Sequence, residues 1–356
     1  MAKRPRPRDA VVEMAPYSPP TGGRYEHLRL DFNENTVGCS PRVLDALREK
    51  LDGGLLSMYP EYTQAREELA AHFRVQPDEL VLTNGTDEAI QLLVSTFVDD
   101  GDEVLILKPS YAMYRFYSEV AGAQIHEIPY RAGSLAFPLE ELLDAITPPV
   151  KAVFLSNPNN PTGTAASLES LEKILRRASG TVVLVDEAYF EFCGITALPR
   201  LADYPNLFVS RTFSKVYGMA GFRFGCLISQ ANNVRYLRKS QSPYSVNILG
   251  AVAARAAIRD TSYISKYVTE VLAARELLYV GLEKLGIRYY ESQGNFVLMQ
   301  LGDRSIEIRD KLRERGILVR DRSYELAGTC RVTVGTRDQI RRFLAELEDI
   351  LCNVRA

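Results

Sequence analysis

Residues 181–189 read TVVLVDEAY, an apolar run that ends in Asp186 and is followed three positions later by Tyr189. An apolar run without polar alternation indicates a strand that is buried on both faces of a sheet. Comparable runs occur at residues 81–83, 103–108, 152–156, 207–210 and 224–228, and helix-like segments such as 87–98 and 168–177 lie between several of them. This alternation predicts a large, doubly wound, mainly parallel α/β sheet.

The pattern changes after residue 260. A long helical segment from about Ser262 to Leu285 is followed by the strand-like stretches IRYY, NFVLMQ, ILVR and CRVTVG, with helices predicted at 305–315 and 336–351. We therefore expect three parts, which are an N-terminal arm (residues 1–40) that joins the small domain, a large α/β domain (41–260) and a smaller C-terminal α+β domain (261–356).

The composition of the 356-residue chain excludes several classes of protein. With 46% hydrophobic and 25% charged residues it is typical of a soluble enzyme, and its net charge of -2 offers no basic face for nucleic acid. The five cysteines are far apart and form no CxxC pair, so we expect neither disulfides nor a metal site, and a cytoplasmic location. No apolar run approaches the ~18 residues of a membrane span, and the basic start MAKRPRPR is not followed by a signal-peptide core.

Residues capable of chemistry follow several of the predicted strands, at the ends where α/β sheets bind ligands. Asp186 is suited to face a pyridinium nitrogen, although it is equally suited to cap the next loop. Lys215 follows the strand at 207–210, where a surface lysine would be the ordinary interpretation. Backbone N–H groups at 85–87 can hold a phosphate, Tyr111 can stack on a flat ring, and residues 157–163 (NPNNPTG) form a polar turn. Together they predict a site for a phosphorylated ring beside a reactive lysine.

These residues lie in motifs that run through nearly the whole chain. They are LDFNEN (30–35), YPEY (59–62), NGTDEAI (84–90), PSYAMY (109–114), SNPNNPTG (156–163), VDEAY (185–189), RTFSKVYGMAGFRFG (211–225), SQGNFVL (292–298) and CRVTVGTRDQIRRFL (330–344). In these motifs the chain closely resembles the fold-type I pyridoxal-phosphate aminotransferases and, within them, the histidinol-phosphate aminotransferase group.

The resemblance implies pyridoxal 5′-phosphate as cofactor and assigns roles position by position. Lys215 would bind the cofactor as a Schiff base, Asp186 would pair with the pyridine nitrogen, Tyr189 and Asn160 would hydrogen-bond the 3′ oxygen, and Tyr111 would stack on the ring. The cofactor phosphate would be held by the backbone of Gly85, Thr86 and Asp87, by the hydroxyl groups of Thr212 and Ser214, and by Arg223.

The resemblance also implies a homodimer with shared active sites, since Tyr59 in such enzymes reaches the phosphate of the neighbouring subunit. Arg331 and Arg320 match two substrate-binding arginines. Asn33, Glu34 and Tyr17 would line the substrate pocket from the N-terminal arm.

The expected reaction is transfer of the amino group of L-histidinol phosphate to 2-oxoglutarate, which gives imidazole-acetol phosphate and L-glutamate in histidine biosynthesis. Two alternatives stay open, namely an aromatic or other amino-acid aminotransferase and a pyridoxal-phosphate decarboxylase of the threonine-phosphate type. The chain departs from the group's usual sequence at Thr36, at Pro19-Pro20-Thr21 and over 321–330 (DRSYELAGTC), all three in substrate-facing regions. A binding protein on a retired enzyme fold is disfavoured, because Lys215 and Asp186 are both present.

Overall fold

The structure is a computed structural model that describes residues 4–16 and 22–353. Tyr17, which we expected in the substrate pocket, lies outside the described residues. The strands are β1 (Leu28–Leu30), β2 (Leu80–Thr83), β3 (Glu103–Lys108), β4 (Gln124–Pro129), β5 (Val150–Ser156), β6 (Val182–Asp186), β7 (Leu207–Thr212), β8 (Gly225–Ile228), β9 (Arg288–Tyr290), β10 (Phe296–Gln300), β11 (Ile317–Asp321) and β12 (Thr329–Thr333).

Helices flank these strands along the chain. They are α1 (Asp9–Val12), α2 (Pro41–Lys50), α3 (Gly53–Ser57), α4 (Thr63–Phe73), α5 (Gly85–Phe97), α6 (Ala112–Ala121), α7 (Leu139–Ala145), α8 (Leu168–Arg177), α9 (Phe190–Cys193), α10 (Ala231–Ser240), α11 (Ile248–Arg259), α12 (Thr261–Lys284), α13 (Ser305–Glu314) and α14 (Arg337–Asn353). Across the described ranges, none of them has the length and apolar character needed to cross a membrane.

The large sheet has the strand order β2-β8-β7-β6-β5-β3-β4. Strands β7, β6, β5, β3 and β4 run parallel, and β8 is antiparallel to both of its neighbours. In β6, Val183 and Val185 pack into one hydrophobic core while Val182 and Leu184 pack into a second core on the opposite face. Because both faces are covered, the strand has no polar alternation. The predicted doubly wound, mainly parallel sheet is confirmed.

The second sheet has the order β1-β11-β12-β10-β9. Strand β1 belongs to the N-terminal segment and pairs in parallel with β11, whereas the other pairs are antiparallel. Helix α12 packs against α14, and a Cβ at Gly281 would collide with the side chain of Leu344. Absence of a side chain there permits the close approach of these two helices.

The topology of the large sheet brings the candidate catalytic and binding residues to one edge. Strands β5, β6 and β7 run in the same direction and end at Ser156, Asp186 and Thr212. Strand β8 places Gly225 between Thr212 and Thr83, so β2 also ends at this edge. This edge is the carboxyl end of the strands, where ligands bind in open α/β sheets.

Candidate active site

Asp186 is the last residue of β6 and is buried at the carboxyl edge of the sheet. Each of its carboxylate oxygens accepts one hydrogen bond, from Tyr114 Oη at 2.8 Å and from Ser210 Oγ at 2.8 Å. Burial raises the pKa of Asp186 to about 6, against the effect of these two donors. The two hydrogen bonds fix the position of the carboxylate. A cationic partner would stabilise its charged form, which burial disfavours.

Lys215 follows β7 and is partly buried, with its Nζ donating a hydrogen bond to the carbonyl oxygen of Phe32 at 2.9 Å. The Nζ also lies 5.8 Å from the ring centroid of Tyr189. Burial, together with the positive charge of Arg331, lowers the pKa of Lys215 to about 8. About a tenth of this amine is therefore uncharged at pH 7, far more than for an ordinary lysine, and is able to act as a nucleophile or base.

The start of helix α5 forms a cradle for an anion. Gly85 has φ +76°, and a Cβ at this position would lie 2.6 Å from Arg223 Nη2. Among the described residues, the buried Thr86 Oγ1 has no hydrogen-bond partner. Free backbone N–H groups, an unpaired hydroxyl group and a guanidinium at a helix N-terminus are the groups that hold a phosphate.

Two hydroxyl residues and one carboxylate complete this cradle. Arg223 donates to Ser214 Oγ at 3.4 Å and pairs with Asp87 at 3.0 Å, and Thr212 Oγ1 accepts a hydrogen bond from the backbone of Ser214. Tyr111 Oη donates to the other oxygen of Asp87 at 2.6 Å. The carboxylate of Asp87 therefore joins the predicted stacking residue to the predicted phosphate arginine, a contact that the sequence did not predict.

Tyr189 and Asn160, which we expected at the same oxygen of a cofactor ring, are both held by other predicted site residues. The buried Tyr189 Oη accepts a hydrogen bond from Asn33 Nδ2 at 3.0 Å. Asn160 Oδ1 accepts one from Arg331. Asn33 itself has φ 56°, in the left-handed region that asparagine tolerates better than most residues. The arm and the second sheet are thereby tied to the site edge.

Arg331 and Arg320 come from neighbouring strands of the second sheet. Arg331 is buried, and its Nη2 donates to the carbonyl oxygen of Asp31 at 2.5 Å. Burial, followed by the nearby charges of Arg322 and Arg320, lowers the pKa of Arg331 to about 10. Arg320 lies over the ring of Phe32, 5.3 Å from its centroid, and lines a cavity of about 470 Å³.

Glu34 does not present a free carboxylate to the pocket. It pairs with Arg24 at 3.0 Å and with Arg29 at 3.2 Å, while Arg24 also pairs with Asp31 at 2.7 Å. Burial acts to raise the pKa of Glu34, but hydrogen bonds from Arg24 and Arg29 hold it below its ordinary value. The contacts of Arg24 could not be predicted from the sequence, because no local pattern distinguishes it from a surface arginine.

Tyr59 lies apart from this cluster within a single chain. The residue is 79% exposed, and its ring stacks on that of Tyr244 with centroids 4.4 Å apart. The other predicted residues with described side chains lie around the carboxyl edge of the large sheet and the adjoining arm and second sheet.

The donor set fits a flat, phosphorylated, ring-nitrogen cofactor. A buried carboxylate, a lysine with a lowered pKa and an anion cradle with an unpaired hydroxyl group surround the same edge of the sheet. Tyr111, which ends the turn before α6, supplies an aromatic face to the same region. These groups match the ring nitrogen, the reactive aldehyde and the phosphate of such a cofactor.

Comparisons with known proteins agree with this geometry. The family model described as aminotransferase class I and II matches residues 25–347. The histidinol-phosphate aminotransferase of Symbiobacterium thermophilum is 36% identical over an alignment of 358 positions, which spans 97% of this chain and 98% of that protein. The crystal structure of the histidinol-phosphate aminotransferase from Clostridium acetobutylicum matches with a TM-score of 0.85 and 26% identity, over 92% of this chain and 99% of that one.

A third match concerns the fold. The structure of the Sinorhizobium meliloti histidinol-phosphate aminotransferase in complex with pyridoxal-5′-phosphate superimposes with a TM-score of 0.90 at 24% identity, over 99% of both chains. The matched region contains both sheets and the site edge between them. This chain belongs to the class I and II aminotransferase family.

Proposed function

We propose that this aminotransferase transfers the amino group of L-histidinol phosphate to 2-oxoglutarate and thereby forms imidazole-acetol phosphate and L-glutamate. The observation that carries the substrate proposal is the placement of Arg320 directly opposite Arg331 on adjacent strands beside the Lys215 site. Two guanidinium groups on one face favour a doubly charged anion such as a phosphate monoester. The names of the similar proteins support the same substrate.

Pyridoxal 5′-phosphate is the cofactor of this class of enzyme. When bound, it supplies a protonated ring that accepts the electrons released at the substrate Cα. Asp186 would hold the ring nitrogen in its protonated form, and Tyr189 with Asn160 would orient the ring through its 3′ oxygen. The cradle around Gly85, with Arg223, would anchor the phosphate.

Lys215 would carry out the proton transfers of both half-reactions. Its pKa of about 8 leaves part of the amine uncharged near neutral pH, so the Nζ is able to remove a proton from the substrate Cα. The hydrogen bond from Lys215 Nζ to the carbonyl oxygen of Phe32 supports this role, because it joins the side chain to the arm that would cover the site. Exclusion of water by this arm would protect the proton from exchange.

Arg331 would serve both substrates in turn. A guanidinium binds a phosphate and a carboxylate with the same forked geometry, so the residue suits histidinol phosphate in one half-reaction and 2-oxoglutarate in the other. Its contact with Asn160 links substrate recognition to a predicted cofactor-binding residue.

The proposed assembly is a homodimer in the cytoplasm with shared active sites. Tyr59 and Tyr244 present a stacked, exposed aromatic pair, and the neighbouring Met58 and Leu56 are exposed as well. Apolar side chains grouped in this way favour a subunit interface. All five cysteines are free, which agrees with a reducing compartment.

A single-turnover absorbance experiment tests the proposed reaction. L-Histidinol phosphate, phenylalanine and threonine phosphate are each mixed with the holoenzyme, and conversion of the lysine-bound cofactor to its amino form is followed. The fastest conversion with histidinol phosphate supports the proposal, and a faster conversion with phenylalanine favours the aromatic alternative. Release of CO₂ from threonine phosphate without conversion favours the decarboxylase. Lys215→Ala, which should show no conversion with any donor, is the control.

A further inference from the structure

Tyr114 is a fully buried side chain that contacts Asp186, and none of the roles given above uses it. It lies on α6 and is fully buried, and its Oη donates to Asp186 Oδ2 at 2.8 Å. Its ring packs against Phe154 of β5 and edge-on against Tyr111, with centroids 5.8 Å and 5.7 Å away. One side chain thus contacts both the predicted ring carboxylate and the predicted stacking residue.

We propose that Tyr114 is a positioning residue whose hydroxyl group keeps Asp186 ionised and correctly oriented for the cofactor ring. This inference rests on the proposed function, because it assumes that Asp186 pairs with a ring nitrogen. Tyr114 itself does not touch the cofactor in this proposal and acts only through Asp186.

The surroundings of Asp186 explain why such a donor is required. The charged groups that act on its carboxylate are Asp87 and Glu187, and both are acids that disfavour its ionisation. Burial disfavours ionisation as well. Tyr114 and Ser210 are the groups that oppose these effects, one at each carboxylate oxygen.

The chemical type of these donors also matters. A lysine or arginine beside Asp186 would form an ion pair and would neutralise the charge that the ring nitrogen needs. A neutral hydroxyl group stabilises the carboxylate and leaves its full negative charge in place. It also leaves lone pairs free, since each oxygen accepts a single hydrogen bond within the described residues.

The test is Tyr114→Phe, which removes the hydroxyl group and keeps the packed ring. Tyr279→Phe is the matched control, because Tyr279 Oη accepts a hydrogen bond from the backbone of Ser292 at 2.8 Å in the second sheet region, away from Asp186. Binding of pyridoxamine 5′-phosphate to each apoprotein is measured by equilibrium titration between pH 5 and pH 9. This ligand makes no covalent bond to Lys215, so the result is independent of turnover.

We expect Tyr114→Phe to weaken binding about tenfold near pH 7, the usual effect of losing a hydrogen bond to a charged group. Affinity should fall at low pH as Asp186 takes up a proton, and we call this part of the affinity–pH curve its acidic limb. The acidic limb should move to higher pH in Tyr114→Phe, since loss of a donor raises the pKa of Asp186 above about 6. Tyr279→Phe should lower thermal stability and leave the position of this limb unchanged.

A Tyr114→Phe protein that binds like Tyr279→Phe overturns the inference while leaving the proposed function in place. Failure of the wild-type apoprotein to bind pyridoxamine phosphate at all overturns both the inference and the proposed function. Ser210→Ala removes the other donor and is expected to move the acidic limb in the same direction. It decides the question if Tyr114→Phe does not fold, because an unmoved limb in Ser210→Ala would show that hydroxyl donors do not set the charge of Asp186.

Discussion

Arg320 on β11 and Arg331 on β12 are directly opposite each other across an antiparallel pair of strands. Residues in this relationship have Cβ atoms about 4.5–5.5 Å apart and project to the same face, so their like charges repel. Arg320 contributes to the lowered pKa of Arg331 for this reason. An anion between the two guanidinium groups would relieve the repulsion, which makes the pair a specific test of the proposed substrate.

Arg320→Ala is expected to raise KM for L-histidinol phosphate roughly 10- to 100-fold and KM for phenylalanine less than about threefold, because only the phosphate requires the second guanidinium. Steady-state kinetics with both donors measures the difference. Arg309→Ala is the control, since Arg309 lines the same cavity but pairs with Asp310 at 2.6 Å. An equal increase in KM for both donors would show that Arg320 does not bind a substrate phosphate.

Asp186→Asn should stabilise the apoprotein while impairing the enzyme. Burial raises the pKa of Asp186 from 3.8 to about 6, so the folded state holds the proton more tightly than the unfolded state does. Stability from this group is fully present below about pH 4 and is lost as the pH rises through about 6. Above that pH the ionised carboxylate lowers the free energy of unfolding by up to roughly 3 kcal/mol.

Urea unfolding of the apoproteins at a fixed protein concentration checks this prediction. At pH 8 the Asn variant should be more stable than the wild type, and near pH 4.5 the difference should nearly vanish. Turnover of the reconstituted variant should be lost at both values, because an amide cannot keep the ring nitrogen protonated. A difference in stability that is the same at both pH values would contradict the assignment of a raised pKa to Asp186.

The strands that carry the site could be predicted because they are buried on both faces. Their continuous apolar runs are visible in sequence, and β6 is an example. Strand β4 was missed because it lies at the edge of the sheet, where Gln124, His126 and Pro129 of QIHEIP are exposed. The pairing of β1 with β11 could not be predicted from the sequence either, since it joins Leu28 to Ile317 and depends on the whole tertiary fold.

In the site as well, residues at the ends of strands could be predicted from the sequence, whereas contacts made by the tertiary fold could not. Asp186 and Lys215 were predicted because each follows a recognisable strand and lies in a specific motif. The Tyr114 contact was not predicted, because a helical tyrosine in a mixed aromatic segment has no sequence feature that indicates its partner. Arg24 and its carboxylate partners likewise meet only through the path of the arm.

Glu187→Gln is expected to destabilise the protein by about 3–5 kcal/mol, because it leaves the buried charge of Arg211 without its paired carboxylate. The two side chains are 0% and 5% exposed and lie 2.6 Å apart. Chemical denaturation measures the loss. Asp45→Asn is the control, since it breaks an exposed ion pair to Arg48 and should change stability by less than about 1 kcal/mol. Similar small effects in both variants would mean that water reaches the buried pair.

Hybrid dimers test whether Tyr59 completes the active site of the other subunit. Lys215→Ala alone should be inactive, and Tyr59→Phe alone should bind the cofactor more weakly, because one donor to its phosphate is lost. In a hybrid of the two variants, the subunit with an intact Lys215 would receive the intact Tyr59 of its partner. Such a dimer contains one complete site, so it should show about half of the wild-type turnover. That site should bind the cofactor with wild-type affinity.

Differently tagged chains, refolded together and purified through both tags, supply the hybrid. Cofactor affinity and turnover are then compared with those of the two parent dimers. If Tyr59 instead served its own subunit, the site with Lys215 would keep the Phe substitution, and the hybrid would bind the cofactor as weakly as the Tyr59→Phe parent. The stacking of Tyr59 on Tyr244 at the surface of a single chain is the arrangement that favours the shared site, since it leaves the residue exposed to a neighbouring subunit.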